Sequence, residues 1–343
     1  MPPDGGRVAA IVVAYNGGAD LAACVASLAR QTVAKLEVIV VDNASTDGSI
    51  EALEAAAVAG VRTIRLQTNR GYAAGANVGW RATSAPMIVV LNQDLELAPD
   101  CIARMRAALL DAPGEALVTP KLVLRSDPST VNAVGNDVHL SGVASCRGSG
   151  TPAGAWRGVH EVPAISGAAF TARRTFLETL GGLEEAYFMY MEDVDLSIRA
   201  RAAGAICLAA CDAVATHDWS LRLTPAKFGF LERNRGWMWE RLLAADGWRA
   251  RPIKAQVEAM GWAYALLRGP GHVHAKARRY ARPEWTSRAA PIGSLEAQVS
   301  LSEHLPYDVL FPRSAIIRAL GRRMDTLATA PLRLVPGTHP AAR

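Results

Sequence analysis

The sequence has little cysteine. Its five, Cys24, Cys101, Cys146, Cys207 and Cys211, are odd in number, scattered, and form no C-x-x-C pair. That argues against a disulfide framework or a cysteine-built metal site and fits a reducing compartment. Long apolar runs are also missing: no uncharged stretch reaches the ~18 residues of a membrane-spanning helix. The apolar run Val8 to Tyr15 follows Arg7, in the manner of a signal peptide, but it breaks at Asn16-Gly17-Gly18 and reads better as a buried first strand. Glycine and proline, 29 and 19 of 343 residues, are too few for a collagenous or low-complexity chain. No G-x-x-x-x-G-K-[ST] occurs, which removes the usual P-loop route to ATP. The turn after the first strand, Tyr15-Asn16-Gly17-Gly18-Ala19-Asp20, lacks G-x-G-x-x-G, so a nicotinamide cofactor loses most of its support.

What is present is core-forming material. Half the residues are hydrophobic and a fifth are charged, with a net charge of +5. Such a chain can bury a sizeable core, and its length suits roughly two domains. The mild positive charge alone is a weak argument for nucleic acid.

The first third alternates strand and helix. Apolar runs at Val8–Ala14, Leu36–Val41, Val61–Leu66 and Met87–Leu91 predict buried strands; Asp20–Ala29, a segment from Ser49, Gly75–Arg81 and a segment opened by Pro99 predict helices. This alternation predicts an α/β fold with a mostly parallel sheet covered on both faces. Residues 121–162 are rich in Gly, Ser and Pro and read as irregular strands and a mobile loop. Beyond them, regular structure resumes at Ile165–Ala172. A helix runs from Asp193 to Ala203, ending at Gly204, and short strands follow at Ala205–Ala209 and Ala213–Thr216. Residues 225–268 read as helix. The expected division is a catalytic domain over 1–224, a helical region over 225–330 and a tail over 331–343.

In an open parallel sheet, ligands bind beyond the carboxyl ends of the strands. Polar residues follow all four early strands: Tyr15-Asn16, Asp42-Asn43, Thr68-Asn69-Arg70-Gly71-Tyr72 and Asn92-Gln93-Asp94. Asp42 stands where an acid could grip a ribose hydroxyl. Asp94, between Asn92 and Glu96, is a hard-oxygen site suited to Mg²⁺ or Mn²⁺ beside substrate phosphates, or else a helix cap. Glu192-Asp193-Val194-Asp195 follows the run Tyr187-Phe188-Met189-Tyr190-Met191. An acid beside apolar rings can have a raised pKa and serve as a general base; the same acids could cap the helix. His217, after a short strand, is a candidate second metal ligand with Asp94.

In this order the segments resemble the family 2 glycosyltransferases of the GT-A fold, and within them the rhamnosyltransferase-like branch. The likeness rests on Val12 to Asn16, Val40 to Ser49, Asn69 to Asn77, Leu91 to Asp94, Ser166 to Phe170, Gly181 to Glu185, Phe188 to Leu196, Arg199, Gly204, His217 and Arg233 to Arg235. It spans roughly residues 7–240. The resemblance implies an inverting transfer from a nucleotide-diphosphate sugar, with dTDP-rhamnose preferred on overall likeness, to a glycan, glycolipid or lipid-linked acceptor in bacterial surface polysaccharide synthesis. Another UDP-, GDP- or dTDP-hexose donor, or a catalytically weak sugar-nucleotide-binding partner, is the alternative. Carried over by residue, Tyr15, Asn16 and Asp42 would contact the nucleoside, and Asn69, Gly71, Asn77 and Asn92 would line the donor site. Asp94 and His217 would hold Mg²⁺ or Mn²⁺, Asp193 would be the base, and Arg235 could meet the diphosphate. Asn92 stands where many relatives have the first Asp of Asp-x-Asp, which implies weaker metal binding. The stretch 135–160 resembles an acceptor-side loop.

The positive charge lies late in the chain. Between Lys227 and Arg282 there are twelve Lys/Arg and four Asp/Glu, and five of the eight tryptophans (Trp237, Trp239, Trp248, Trp262, Trp285) lie in or just after that stretch. Such helices could lie on an anionic membrane surface, suiting a cytoplasmic enzyme peripheral to the inner face of the cell membrane, or could form a packing domain or homodimer interface. The stretch carries no recognised nucleic-acid-binding motif, so no nucleic acid partner is expected.

Overall fold

A computed structural model describes residues 6–139, 141–217, 223–243, 247–278, 280 and 283–286. The chain divides into two compact units. One comprises residues 1–136, 146–220 and 284–288; the other comprises 137–145, 221–283 and 289–343. The expected tail, 331–343, and the helical region beyond 290 lie outside the described residues.

The first unit is built on one large sheet. Strands β1 (Val8–Ala14), β2 (Leu36–Asp42), β3 (Val61–Arg65) and β4 (Met87–Asn92) pair in parallel in the order β3-β2-β1-β4. Every residue of β1 is buried, as expected for a strand covered on both faces. Alternate residues serve two cores. Val8, Ala10, Val12 and Ala14 pack with helices α1 (Gly18–Ala29) and α4 (Cys101–Asp111); Ala9, Ile11 and Val13 pack with α3 (Gly71–Arg81). Helix α3 begins one turn earlier than its periodicity suggested. It approaches β1 so closely that a Cβ on Gly79 would lie 2.1 Å from Ile11 Cγ2, so only glycine fits there. A short α2 (Ser49–Ala55) joins β2 to β3.

Past β4 the sheet becomes mixed. β11 (Ala169–Arg173) runs antiparallel between β4 and β6 (Ala116–Val123), β12 (Ile206–Thr216) runs parallel to β6, and β10 (Val159–Glu161) closes the edge. Short β5 (Glu96–Leu97) pairs with β12, and β7 (Val131–Ala133) with β6. β8 (Asn136–Val138) and β9 (Ala144–Cys146) pair with each other. Helices α5 (Arg174–Leu180) and α6 (Glu192–Ala202) cover one face.

One strand here was not foreseen, and one expectation needs correction. β6 is a fully buried central strand although Pro120 interrupts its pattern. β12 is one strand, not two, because a bulge separates its halves: Ala210 pairs with Pro120, but the next pair is Val214 with Lys121. Proline cannot donate to the ladder, and a bulge is where a sheet tolerates it.

The second unit is helical, with α7 (Pro225–Met238), α8 (Gly247–Arg268) and α9 (Pro270–Ala277). Thr224 caps α7 by accepting from the Lys227 N–H at 3.3 Å, with Pro225 at the first turn. Among the described residues no helix is long and apolar enough to cross a membrane.

Candidate active site

The carboxyl ends of β1 and β2 form a polar shelf. The Tyr15 N–H donates to Gln93 Oε1 at 2.9 Å, and Gln93 Nε2 returns a bond to the Tyr15 carbonyl at 3.0 Å. This leaves the Tyr15 ring exposed. Asn16 accepts from the Thr46 N–H through Oδ1 at 2.8 Å, and buried Asp42 accepts from the Ser45 N–H at 2.8 Å. The loop after β2 is thus fixed by side-chain bonds to its own backbone. Asn69 Oδ1 accepts from the Gly71 N–H at 2.9 Å, setting the turn that starts α3.

Gly71 sits at φ +86°, and a Cβ there would lie 2.3 Å from the Phe188 carbonyl oxygen. That carbonyl is reached by a tight turn. Phe188 has φ 67° and ψ −61°, and the Met189 N–H donates to the Tyr187 carbonyl at 2.7 Å, a γ-turn of the strained, positive-φ kind. Tyr190 and Met191 also have positive φ. Three such non-glycine residues in four positions, directly before α6, mark a segment held in place by its surroundings. The Phe188 carbonyl accepts from the Tyr72 N–H at 2.7 Å, tying this segment to α3.

Asp193, at the first turn of α6, is half-buried between two buried acids. Its Oδ2 accepts from the Gly167 N–H at 2.7 Å and from Asn136 Nδ2 at 3.1 Å, and its Oδ1 from the Val194 N–H at 2.9 Å. Burial raises its pKa, and these donors offset only part of the rise. Asp195 has a different task. Its Oδ1 accepts from Arg199 Nε at 2.6 Å and its Oδ2 from the Tyr187 hydroxyl at 3.0 Å, all in the core.

Glu192 is 5% exposed, and its Oε2 has no hydrogen-bond partner. Burial, helped by the neighbouring Asp193 charge, pushes its carboxyl up to about 8 from 4.5. Between these values the folded protein holds a proton that the unfolded chain has released, so stability falls as pH rises through the window. Glu192→Gln, neutral throughout, is expected to match wild type in urea denaturation near pH 4.5 and to exceed it by on the order of 3–5 kcal/mol above about pH 8. An unchanged difference between the two proteins across that range would show that Glu192 is ionised in the fold.

Asp94 and His217 meet at the end of β4. His217 Nε2 lies 3.6 Å from Asp94 Oδ2, while Asp94 Oδ1 is buried without a hydrogen-bond partner. His217 is buried, and its Nδ1 is 3.0 Å from Asn132 Oδ1. With that oxygen accepting, Nδ1 carries the proton and the Nε2 lone pair faces Asp94. Two lone-pair donors and an orphaned carboxylate oxygen fit a small divalent cation. Among the described residues no group of three or more His, Cys, Asp and Glu side chains is gathered for a metal, so further ligands would come from substrate and water. Burial opposes Asp94 ionisation, but the hydrogen bond and charge of His217 prevail and hold the carboxyl below its usual range.

The Tyr72 hydroxyl donates to the Gly167 carbonyl at 2.5 Å, beside the Asp193 anchor. Burial raises its phenol pKa, and so do the charges of Glu192, Asp193 and Asp94. Tyr72 and Asn43 carry weight that sequence reasoning missed. Asn43 is buried, donates to the Gly71 carbonyl at 3.1 Å and accepts from the Arg70 N–H at 3.2 Å. Their signal was position: each directly follows or precedes a residue already singled out.

Two residues expected on the donor side bond to protein groups. Asn77 is buried, its amide donating to the Leu183 carbonyl and Glu185 and its Oδ1 accepting from the Leu183 N–H and Trp80 Nε1, so it staples α3 to the 183–185 turn. Arg235 belongs to the second unit, where its nitrogens donate to Glu232, Glu258 and the Ser141 carbonyl. Asn92 closes β4, its N–H donating to the Ala168 carbonyl at 2.9 Å.

Comparison with known proteins bears on the family and the fold. The family model described as glycosyl transferase family 2 matches residues 9–158. The N-acetylglucosaminyl-diphospho-decaprenol L-rhamnosyltransferase of Mycobacterium tuberculosis is 29% identical over 217 residues, covering 57% of this chain and 70% of that one. The undecaprenyl-phosphate 4-deoxy-4-formamido-L-arabinose transferase of Aeromonas hydrophila is 31% identical over 109 residues, 30% of this chain and 33% of its own length. Among solved structures, a mannosyltransferase from Pyrobaculum calidifontis in complex with GDP-Man and Mn²⁺ superposes with a TM-score of 0.53 at 23% identity, covering 78% of this chain and 77% of that one. GalNAc-T7 with UDP, GalNAc and Mn²⁺ superposes at 0.57 and 15% identity over 79% of this chain, which spans about half (53%) of its length. The chain is therefore a glycosyltransferase with the GT-A fold, matching the family 2 model over residues 9–158 and similar in sequence to a rhamnosyltransferase.

Proposed function

We propose that the protein performs an inverting, metal-dependent transfer of a sugar from a nucleotide-diphosphate donor, with L-rhamnose from dTDP-rhamnose as the first candidate. The acceptor is a glycan, glycolipid or lipid-linked intermediate of bacterial surface polysaccharide synthesis, met at the inner face of the cell membrane. The observation that carries this reading is the pairing of an Asp94 carboxylate, which meets His217 through Oδ2 and leaves Oδ1 without a partner, with a half-buried Asp193 held by three donors. Likeness to the mycobacterial rhamnosyltransferase, whose name specifies a lipid-diphosphate acceptor, supports the donor and acceptor classes.

In this reading Tyr15, Asn16 and Asp42 bind the nucleoside, and Asn69, Gly71 and Asn92 shape the donor site. Asp94 and His217 hold Mg²⁺ or Mn²⁺, which when bound neutralises charge on the diphosphate leaving group. Asp193 takes the proton of the acceptor hydroxyl as its oxygen bonds to the anomeric carbon and the nucleoside diphosphate departs from the opposite face. The burial that raises the pKa of Asp193 strengthens it as a base, and its three donors fix where its oxygens lie.

Calorimetric titration with dTDP, UDP and GDP, with and without Mn²⁺, tests the assignment. dTDP is expected to bind best, and Mn²⁺ to tighten it by about tenfold or more in wild type but not in Asp94→Ala. Preference for UDP or GDP would discard rhamnose while keeping the transferase. Equal metal dependence in Asp94→Ala would remove Asp94 from the metal site.

A further inference from the structure

Helix α8 of the second unit carries an apolar face on which nothing among the described residues is packed. Trp262, Leu266 and Leu267 are 40%, 67% and 77% exposed, and Ala255, Ala259 and Ala263 beside them are exposed too. Positions 255, 259, 262, 263, 266 and 267 follow helical spacing, so they form one stripe about three turns long. The stripe contains no charged residue.

The opposite face is accounted for. Val257 and Ala265 are buried, and a Cβ on Gly261 would come within 2.8 Å of Glu232 Oε2. Glu258 accepts from Arg235 Nη2 at 2.6 Å and from Lys276 Nζ at 2.8 Å. Glu232 is held by the same two cations. The acids of this part of the unit are thus neutralised within it. Between Gly247 and Arg278 the sequence has six Lys/Arg and a single acid, Glu258. Arg268 and Arg278 are exposed, Arg268 directly after Leu267 at the end of the stripe.

We propose that this face of α8 docks on an anionic lipid surface, with Trp262, Leu266 and Leu267 entering the headgroup–acyl boundary and Arg268 and Arg278 meeting lipid phosphates. A helix that is apolar on one side, internally satisfied on the other and embedded in net positive charge has the pattern of an interfacial helix. Charge selects the occupant. A second copy of this positive unit would be repelled, whereas an anionic bilayer offers both the apolar layer and the counter-charge. The proposal rests on the membrane-face reading above for its biological setting, but not on the donor or the metal.

Flotation of the full chain with unilamellar vesicles tests it. The wild type is expected to bind vesicles of phosphatidylcholine containing about one-third phosphatidylglycerol, to bind pure phosphatidylcholine vesicles far more weakly, and to be released by salt. Leu266→Glu with Leu267→Glu is expected to weaken binding to the anionic vesicles by about tenfold or more while calorimetric nucleotide binding stays at the wild-type value. Wild-type protein that fails to float with anionic vesicles at low salt, or a double variant that floats equally well, would overturn the proposal. So would a wild-type dimer that the double variant dissociates, since a second copy would then own the face. Nucleotide binding that fails while flotation succeeds would sink the donor assignment and leave this one standing.

Discussion

Replacing Asp193 with asparagine is expected to lower the transfer rate by roughly 10²–10⁴-fold, the usual worth of a positioned base. Nucleotide affinity is expected to stay within about twofold, because the contacts of Asp193 are with protein donors and the proposed mechanism sets it against the acceptor. The substitution keeps the volume and one carbonyl acceptor for the Gly167 or Val194 N–H but cannot take a proton. Rates with saturating donor and acceptor, alongside calorimetry with nucleoside diphosphate, separate the possibilities. If nucleotide affinity fell in step with rate, Asp193 would belong to the donor site and the base would have to be sought elsewhere.

The second large effect concerns the support beneath that base. Arg199 is 1% exposed, and its guanidinium donates to Asp195, to the Leu180 carbonyl at 2.8 Å and to the Gly182 carbonyl at 3.0 Å. Arg199→Ala would strand the Asp195 charge and two carbonyls in the core, which is expected to cost about 3–5 kcal/mol in urea denaturation. Removing both charges, as in Arg199→Met with Asp195→Leu, is expected to recover a substantial part, since the penalty comes from the unpaired survivor more than from the lost bond. A double variant no more stable than Arg199→Ala would mean that the carbonyl contacts to the 180–182 turn carry the stability. Either way the link to function is short. That turn leads into the positive-φ segment before α6, and α6 carries Asp193 in its first turn.

The sequence made some of this plain and hid the rest for physical reasons. β1, β2 and β4 were legible because a strand buried on both faces must be a continuous apolar run, and Val/Ile-rich runs between polar turns have few other readings. β6 was obscured by Pro120, which normally speaks against a central strand, and its bulged partner looked like two strands for the same reason. Asp94, Asp193 and His217 could be named because each ends or follows an element in an otherwise apolar context. The protein partners of Asn77 and Arg235 were hidden because spacing does not say which way a polar side chain on a helix turns. Both side chains bond to protein groups. Asn43 stood one residue from Asp42, and only coordinates show that it faces the Gly71 turn.

The bulge in β12 has a bearing on how this site can change. Before it, even-numbered residues Leu208 and Ala210 face the core that α1 and α4 cover; after it, odd-numbered Ala213 and Ala215 do. Its partner β6 keeps even parity throughout, with Ala116, Val118 and Leu122 on that face. The three residues 211–213 therefore act as a phase shifter, and the strand's far end, with His217 just beyond Thr216, inherits the inverted phase. Losing or gaining one residue there would leave the strand paired and its composition intact, yet rotate its last side chains to the other face and carry the imidazole away from Asp94. The length of an unremarkable stretch of small residues, Cys211-Asp212-Ala213, is thus as much a determinant of the candidate metal site as the identity of its ligands.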